Sequence, residues 1–410
     1  MSESQTFAPL SGGCITDVKG WRAAGVACGI KKNGALDLAL LVSDRPASCA
    51  GVFTTNRFQA APVLYDREAI LADPRGVRAV VANSGCANAC TGPEGLEDAR
   101  EMARLAGRAT GVDTNRVLVM STGVIGQRLP MRSVAHGVEL AAAALSADGG
   151  HAAARAIMTT DTRPKEVAAR LDIEGREVTV AGMAKGAGMI SPNMATLLVA
   201  VATDASVAPG ALDGIIRYAA DRSFNCVTVD GDMSTNDTFL LLANGAAGGR
   251  EISGPQSEGY QQLRDAVTYV ATELAKMVAF DGEGATKHVT VHVTGARNRA
   301  EARQVAMTVA KSPLVKTAIY GKDANWGRII CAVGYSGVEV EPEAVDMWLG
   351  DLHLVHNGRP FQVDEVRASQ ILAETDVAIT IALGMGDADV TVWTCDLSHE
   401  YVSINANYRT

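Results

Sequence analysis

The chain has 410 residues, more than one ordinary core serves, with 47% hydrophobic and 20% charged side chains. A net charge of −9 argues against nucleic-acid and membrane surfaces, which both favour basic patches. No apolar run approaches the roughly 20 residues of a membrane span, and "MSESQTFAPLSGG" lacks the basic and apolar regions of a secretory signal.

Taken in order, "AVVAN" (Ala79 to Asn83) reads as a buried strand ending in a small-residue loop. "EGLEDAREMARLAG" carries helical spacing, with Gly107 as its stop. "RVLVMSTGVIG" is a strand entering a glycine turn, followed by a helix around "SVAHGVELAAAAL". "ALDGIIRYAADRSF" is helical, and "CVTVDGDMSTNDTFLLLANG" reads as two strands around a polar turn. A long helix, "QQLRDAVTYVATELAKMVAF", leads into the acidic glycine loop "DGEGATK". "HVTVHVTGA" alternates as a strand, and "AEARQVAMTVAKSPLVKTAIYG" is helical with a break at Pro313. The segment from Asp376 to Thr410 reads as strand-rich. The pattern is layered α/β without the regular rhythm of a barrel.

Eight cysteines are scattered, and only Cys86 and Cys90 are close; no neighbouring pair or histidine completes a zinc site, so reduced thiols in a cytoplasm are expected. Cys226, Asp230 and Asp237 surround "VDGDMSTND", which lacks the spacing of a calcium loop. No metal is expected.

The sharpest feature is "KGAGMISPNMATLLVAVATD", Lys185 to Asp204, where glycines and small polar residues give way at Thr196 to an apolar run. A threonine hydroxyl is a weak nucleophile unless a base takes its proton. A threonine at the start of a chain carries its own base, an α-amine of pKa about 7.7–8.0. That arrangement requires a backbone cut before Thr196, with an adaptable segment upstream and a rigid strand downstream. A surface loop entering a core strand, with an incidental threonine, is the plain alternative.

The motif "KGAGMISPNMATLL" resembles the self-cleavage site of the glutamate N-acetyltransferases, or ornithine acetyltransferases, of arginine biosynthesis. "GVFTTN", "NSGCANACTG", "STGVIG", "MTTDT", "VDGDMSTNDT", "GKDANWGR" and "NANYRT" extend the resemblance over nearly the whole chain. It implies the layered α/β sandwich that these enzymes share with self-cleaving aminopeptidases, and an Ntn-hydrolase-like mechanism. It implies cleavage between Ala195 and Thr196, giving chains 1–195 and 196–410, and an α2β2 assembly.

The implied reaction moves acetyl from N-acetylornithine to glutamate through acetyl-Thr196, with no bound cofactor. Use of acetyl-CoA as a second donor stays open. The resemblance assigns Thr122 and Gly123 to an oxyanion hole, and Thr159, Lys185, Glu283, Asn405 and Thr410 to substrate binding. Thr160 competes with Thr159 for that place. An ordinary glycine turn, a solvated lysine, an acidic turn and a frayed terminus are the corresponding plain readings. A self-cleaving amidase using water as acceptor, and an acidic α/β interaction protein, are the alternative functions.

Overall fold

A computed structural model describes residues 6–191, 197–362 and 364–407. Within these, nine strands form one sheet: β1 (Phe7–Leu10), β2 (Trp21–Val26), β3 (Leu38–Phe53), β4 (Val77–Cys86), β5 (Val117–Val124), β6 (Lys165–Ile173), β7 (Arg176–Lys185), β8 (Leu198–Thr203) and β9 (Thr238–Ala243). Their order is β1-β6-β7-β8-β9-β3-β4-β5, with β2 also pairing β3. The β8–β9 and β4–β5 pairs are parallel.

Strand β3 joins the two halves of this sheet. Its first part pairs β4, its last six residues pair β9, and the register shifts between Val42 and Ala47. Pro46 lies in that interval, where its missing N–H costs no ladder bond.

A second sheet has the order β13-β12-β11-β14-β10-β15. It comprises β10 (His288–Ala296), β11 (Asp346–Leu349), β12 (Leu352–His356), β13 (Arg359–Pro360), β14 (Asp376–Ala382) and β15 (Ala388–Cys395). The helices are α1 (Ala61–Ala72), α2 (Gly92–Thr110), α3 (Met131–Ala143), α4 (Gly150–Ala156), α5 (Pro209–Arg222), α6 (Tyr260–Phe280), α7 (Arg299–Lys311), α8 (Pro313–Tyr320), α9 (Trp326–Gly334), α10 (Glu365–Ala373) and α11 (His399–Asn407). None of the described helices is long and apolar enough to cross a membrane.

The layers follow from side-chain alternation. On β8, Val199 and Val201 face the core formed with α5 and α6, through Ile215, Leu263 and Val270. Leu198, Ala200 and Ala202 face the opposite core with Ile15, Trp21 and Ile157. A central strand covered on both faces has no place for a polar side chain, which explains the uninterrupted apolar run from Leu197. Helix α6 packs against β6 and β7 on one side and β15 on the other, so it ties the two sheets together. Across the first sheet, α2 and α3 close a third core over β3, β4 and β5.

One expected strand is absent, and the strand-rich reading of residues 376–410 holds for β14 and β15 but not for the tail. Phe224–Cys226 is a single 3₁₀ turn, and Val227 makes only an isolated bridge to Trp393. This segment spends its polar groups elsewhere: Val229 N–H and the Thr228 hydroxyl both donate to Ile190 O. The tail from His399 to Asn407 is helical rather than extended.

Candidate functional site

The ends of β5 and β7 and the starts of β8 and β9 converge. Lys185, the last residue of β7, pairs with Leu198, which in turn pairs with Thr238. Leu197 N–H donates to Asp237 Oδ1 at 2.9 Å, and Thr238 N–H donates to Leu197 O. Ala195 and Thr196, just upstream, lie outside the described residues, as does Thr410.

Beside these strand ends is a cavity of about 140 Å³. Thr122, Gly123, Thr159, Thr160, Lys185, Glu283 and Asn405 all line it. Six of the expected residues thus meet at one place, and both neighbouring threonines reach it.

Thr122 and Gly123 sit where β5 pairs an irregular turn of β4. Gly123 has φ +132°, and a Cβ there would stand 2.3 Å from the Gly85 carbonyl carbon. Only glycine fits so close to another backbone. Lys185 Nζ donates to Thr122 Oγ1 at 3.4 Å, and both residues are buried. Since lysine occupies an acceptor position on that oxygen, the hydroxyl proton is left to donate elsewhere.

A fully buried charge cluster supports this lysine. Lys165 Nζ lies 2.6 Å from both Asp161 Oδ1 and Asp281 Oδ2. Asp161 also accepts the N–H groups of Gly186 and Thr159, and Asp281 accepts both the N–H and the hydroxyl of Thr162. Burial works against ionisation of Asp161, but Lys185, Lys165 and these hydrogen bonds outweigh it and bring its pKa down to about 2. Burial lowers the Lys185 pKa from the usual lysine value, with Asp161 opposing that shift.

Glu283 N–H donates to Ala187 O, which fixes the acidic loop against the glycine stretch. Its Oε2 accepts from Asn405 Nδ2 at 2.7 Å. Gly188 makes room for that carboxylate: a Cβ would stand 2.4 Å from the Glu283 carboxyl carbon. Tyr401 precedes Asn405 by one helical turn of α11, and both line the cavity.

The aspartates that resembled metal ligands serve the backbone instead. Asp230 accepts from Met189 N–H and Ile190 N–H, and Tyr401 donates to it at 3.3 Å. Met189 needs this anchor, because it holds a left-handed φ of +58°. Burial raises the pKa of Asp230 and, more strongly, that of Asp237. Cys226 is buried away from the cavity, where burial pushes its thiol up to about 11.

Asn236 is a site residue that sequence reasoning missed. Its Nδ2 donates to Ala87 O at 2.6 Å and Ser121 O at 2.8 Å, latching the 230–237 loop to the Thr122 turn. Thr54 and Asn56 hold the same loop through Ser234 O and Met233 O. Both belong to quoted motifs, "VDGDMSTNDT" and "GVFTTN", so the signal was present without an assigned role. "GKDANWGR" lies elsewhere, at the start of α9.

Fold and cavity define a layered α/β protein with a small polar pocket, in which a buried cation faces a hydroxyl and a glycine turn. The ArgJ family profile matches residues 22–410. The arginine biosynthesis bifunctional protein ArgJ of Symbiobacterium thermophilum is 52% identical over 403 residues, covering 98% of this chain and 99% of that protein. The mitochondrial protein of the same name from Yarrowia lipolytica is 50% identical over 421 residues, covering 99% and 96%. A solved structure described as ornithine acetyltransferase complexed with ornithine, from Mycobacterium tuberculosis, is 43% identical; it aligns with 47% of this chain and 100% of its own, at a TM-score of 0.42. The chain belongs to the ArgJ family.

Proposed function

We propose that this chain is a bifunctional acetyltransferase of arginine biosynthesis that carries acetyl from N-acetylornithine to glutamate on Thr196. The observation that carries the reading is the Lys185–Thr122 contact, beside Gly123 in the cavity that Glu283 and Asn405 also line. Lys185 also sits in register with Leu198, two residues beyond Thr196.

In the first half-reaction the Thr196 α-amine takes the hydroxyl proton as Oγ1 attacks the acetyl carbonyl. Negative charge collects on the carbonyl oxygen, where the Thr122 hydroxyl and the Gly123 N–H donate. Collapse breaks the C–N bond and returns the proton to the departing ornithine amine. The glutamate amine then attacks the acetyl ester by the same path in reverse. With acetyl-CoA as donor, the thiol leaves in place of ornithine, and the glutamate amine takes acetyl from the same acetyl-Thr196 ester.

A cation near the Thr196 amine lowers the amine's pKa and keeps it available as base. Lys185 is suited to this, and to the α-carboxylate that both amino acids carry. The anionic Glu283 suits the ornithine side-chain ammonium, with Asn405 orienting the carboxylate. Thr159 and Thr410 complete the substrate contacts. No resident cofactor is required by this chemistry.

In the precursor the same hydroxyl attacks the Ala195 carbonyl; collapse breaks the Ala195–Thr196 C–N bond and frees the Thr196 amine, and water then hydrolyses the resulting ester to release the Ala195 carboxylate and the Thr196 hydroxyl. Chains 1–195 and 196–410 then share one sheet, since β7 and β8 pair across the cut. Two such pairs form the working α2β2 particle in the cytoplasm. The test is transfer from N-acetylornithine to glutamate by purified protein that runs as two fragments on SDS electrophoresis. Acetyl release to water without N-acetylglutamate would contradict it.

A further inference from the structure

The outer hairpin of the second sheet brings together three side chains that the acetyl-transfer site does not use. Ligand atoms of Asp346, His353 and His356 all lie within 4.8 Å of one another. None of the three lines the central cavity.

On a regular strand, residues three apart point to opposite faces, which would separate His353 from His356. Here the β11–β12 register slips between Met347 and Trp348, from a Val355 partner to a His353 partner. The bulge adds one residue to β12 and turns both imidazoles towards Asp346 at the start of β11.

Asp346 Oδ2 is 3.3 Å from His356 Nδ1 and 3.7 Å from His353 Nε2. Ligands about 2.0–2.2 Å from a tetrahedral zinc ion are separated by roughly 3.4 Å. His353 Nε2 is shielded from solvent and has no hydrogen-bond partner among the described residues. A buried ring nitrogen without a partner is costly, and a cation between it and the carboxylate removes that cost.

The surroundings already orient the ligands. His353 stacks on Trp348 at 4.4 Å between ring centres, which fixes its plane. Asp346 Oδ1 accepts from Asn357 N–H at 2.8 Å and lies 3.1 Å from His356 Nδ1, while Oδ2 is within 3.3 and 3.7 Å of the two imidazoles. The Asn357 side-chain amide lies 3.1 Å from His356 Nε2; rotated to present its oxygen, it accepts that N–H when Nδ1 binds metal.

We propose that Asp346, His353 and His356 bind one divalent transition-metal ion, with Zn²⁺ as the expected species and water completing the shell on the exposed His356 side. Two imidazoles and one carboxylate suit a borderline cation, whereas Mg²⁺ and Ca²⁺ favour all-oxygen shells. The ion clips β11 to β12 near the sheet edge.

Isothermal titration of the tag-free, chelator-treated full protein with Zn²⁺ tests this. One equivalent per chain is expected, with no comparable response to Mg²⁺. His356→Ala, at a half-exposed position that tolerates truncation, is expected to weaken binding at least about tenfold. Asp346→Asn is expected to do the same with unchanged circular dichroism. Co²⁺ is expected to give the visible bands of tetrahedral nitrogen–oxygen ligation without thiolate charge transfer.

A second cluster, Cys14, His151 and Glu166, provides the internal control. Zinc binding abolished by Cys14→Ser but unaffected by His356→Ala would overturn the assignment. Absence of stoichiometric zinc binding would also overturn it.

Discussion

Lys185 Nζ stands 3.4 Å from Thr122 Oγ1, joining the end of β7 to the end of β5 across the first sheet. The lysine is held by strand pairing and the threonine by an irregular parallel turn, so neither side chain has to be ordered when substrate arrives. Preorganised donors of this kind act on charge that develops only in the transition state. Thr122→Ala is therefore expected to lower kcat by about 10²-fold with a smaller change in KM. Thr122→Ser keeps the hydroxyl and is expected to retain most activity. Steady-state kinetics on fully cleaved protein give the answer, and an unchanged kcat for the alanine variant removes Thr122 from the oxyanion hole.

Gly188→Ala separates substrate binding from folding. The new Cβ meets the far end of the Glu283 side chain, which can swing away, rather than rigid backbone. Swinging breaks the Asn405–Glu283 hydrogen bond and moves the carboxylate from its place. KM for N-acetylornithine is expected to rise about tenfold or more, with self-cleavage retained and only a small change in Tm. Asn405→Ala is expected to shift KM in the same direction, also without loss of cleavage. Wild-type KM in both variants would detach the Glu283–Asn405 pair from the substrate.

Asp161 makes stability pH-dependent. Its folded pKa of about 2 lies below its ordinary value of 3.8, so the ionised form favours the folded state. That contribution is complete above about pH 4–5 and is lost as pH falls towards 2, and amounts to on the order of 2 kcal/mol. Denaturation measured from pH 2 to 6 should show a slope that Asp161→Asn reduces. The variant should also be markedly less stable at neutral pH, by about 3–5 kcal/mol, because Lys165 loses one of its two carboxylates and Lys185 the carboxylate that most opposes its burial. An identical pH slope in wild type and variant would show that Asp161 is not the group responsible.

Asn236→Ala removes both hydrogen bonds that latch the 230–237 loop and leaves the Ala87 and Ser121 carbonyls without that donor. A loss of about 2–3 kcal/mol is expected from the unpaired groups. Activity should fall further than the population of unfolded protein explains, because Ser121 directly precedes Thr122. Chemical denaturation and kcat measured on the same preparation distinguish the two effects.

A sequence pattern records burial directly and long-range polar contacts hardly at all. "AVVAN" was legible because burial on both faces makes its apolar run continuous, and the long helix ending at Phe280 because burial of one face imposes its spacing. "CVTVDG" has the composition of a strand, yet its backbone is recruited to hold Ile190, and no local pattern announces a partner about 40 residues away. The tail misled in a different way. The segment read as strand-rich, whereas the informative spacing in its tail was the four residues from Tyr401 to Asn405, which puts both on the cavity face of a helix. The candidate site was more legible than the fold around it. Thr122, Gly123, Thr159, Lys185, Glu283 and Asn405 came together, while Asn236, Asp161 and Lys165 act on backbone or on one another and carry no chemical signature of their own.

Mass spectrometry tests directly whether Thr196 is the residue that carries acetyl. Purified protein incubated with N-acetylornithine alone, then quenched and digested, should yield a fragment beginning at Thr196 and heavier by one acetyl group. Adding glutamate before the quench should remove that group and produce N-acetylglutamate, and Thr196→Ala should remain a single uncut chain. Full transferase activity in an uncut chain, or acetyl found on another residue while Thr196 stays unmodified, would contradict it.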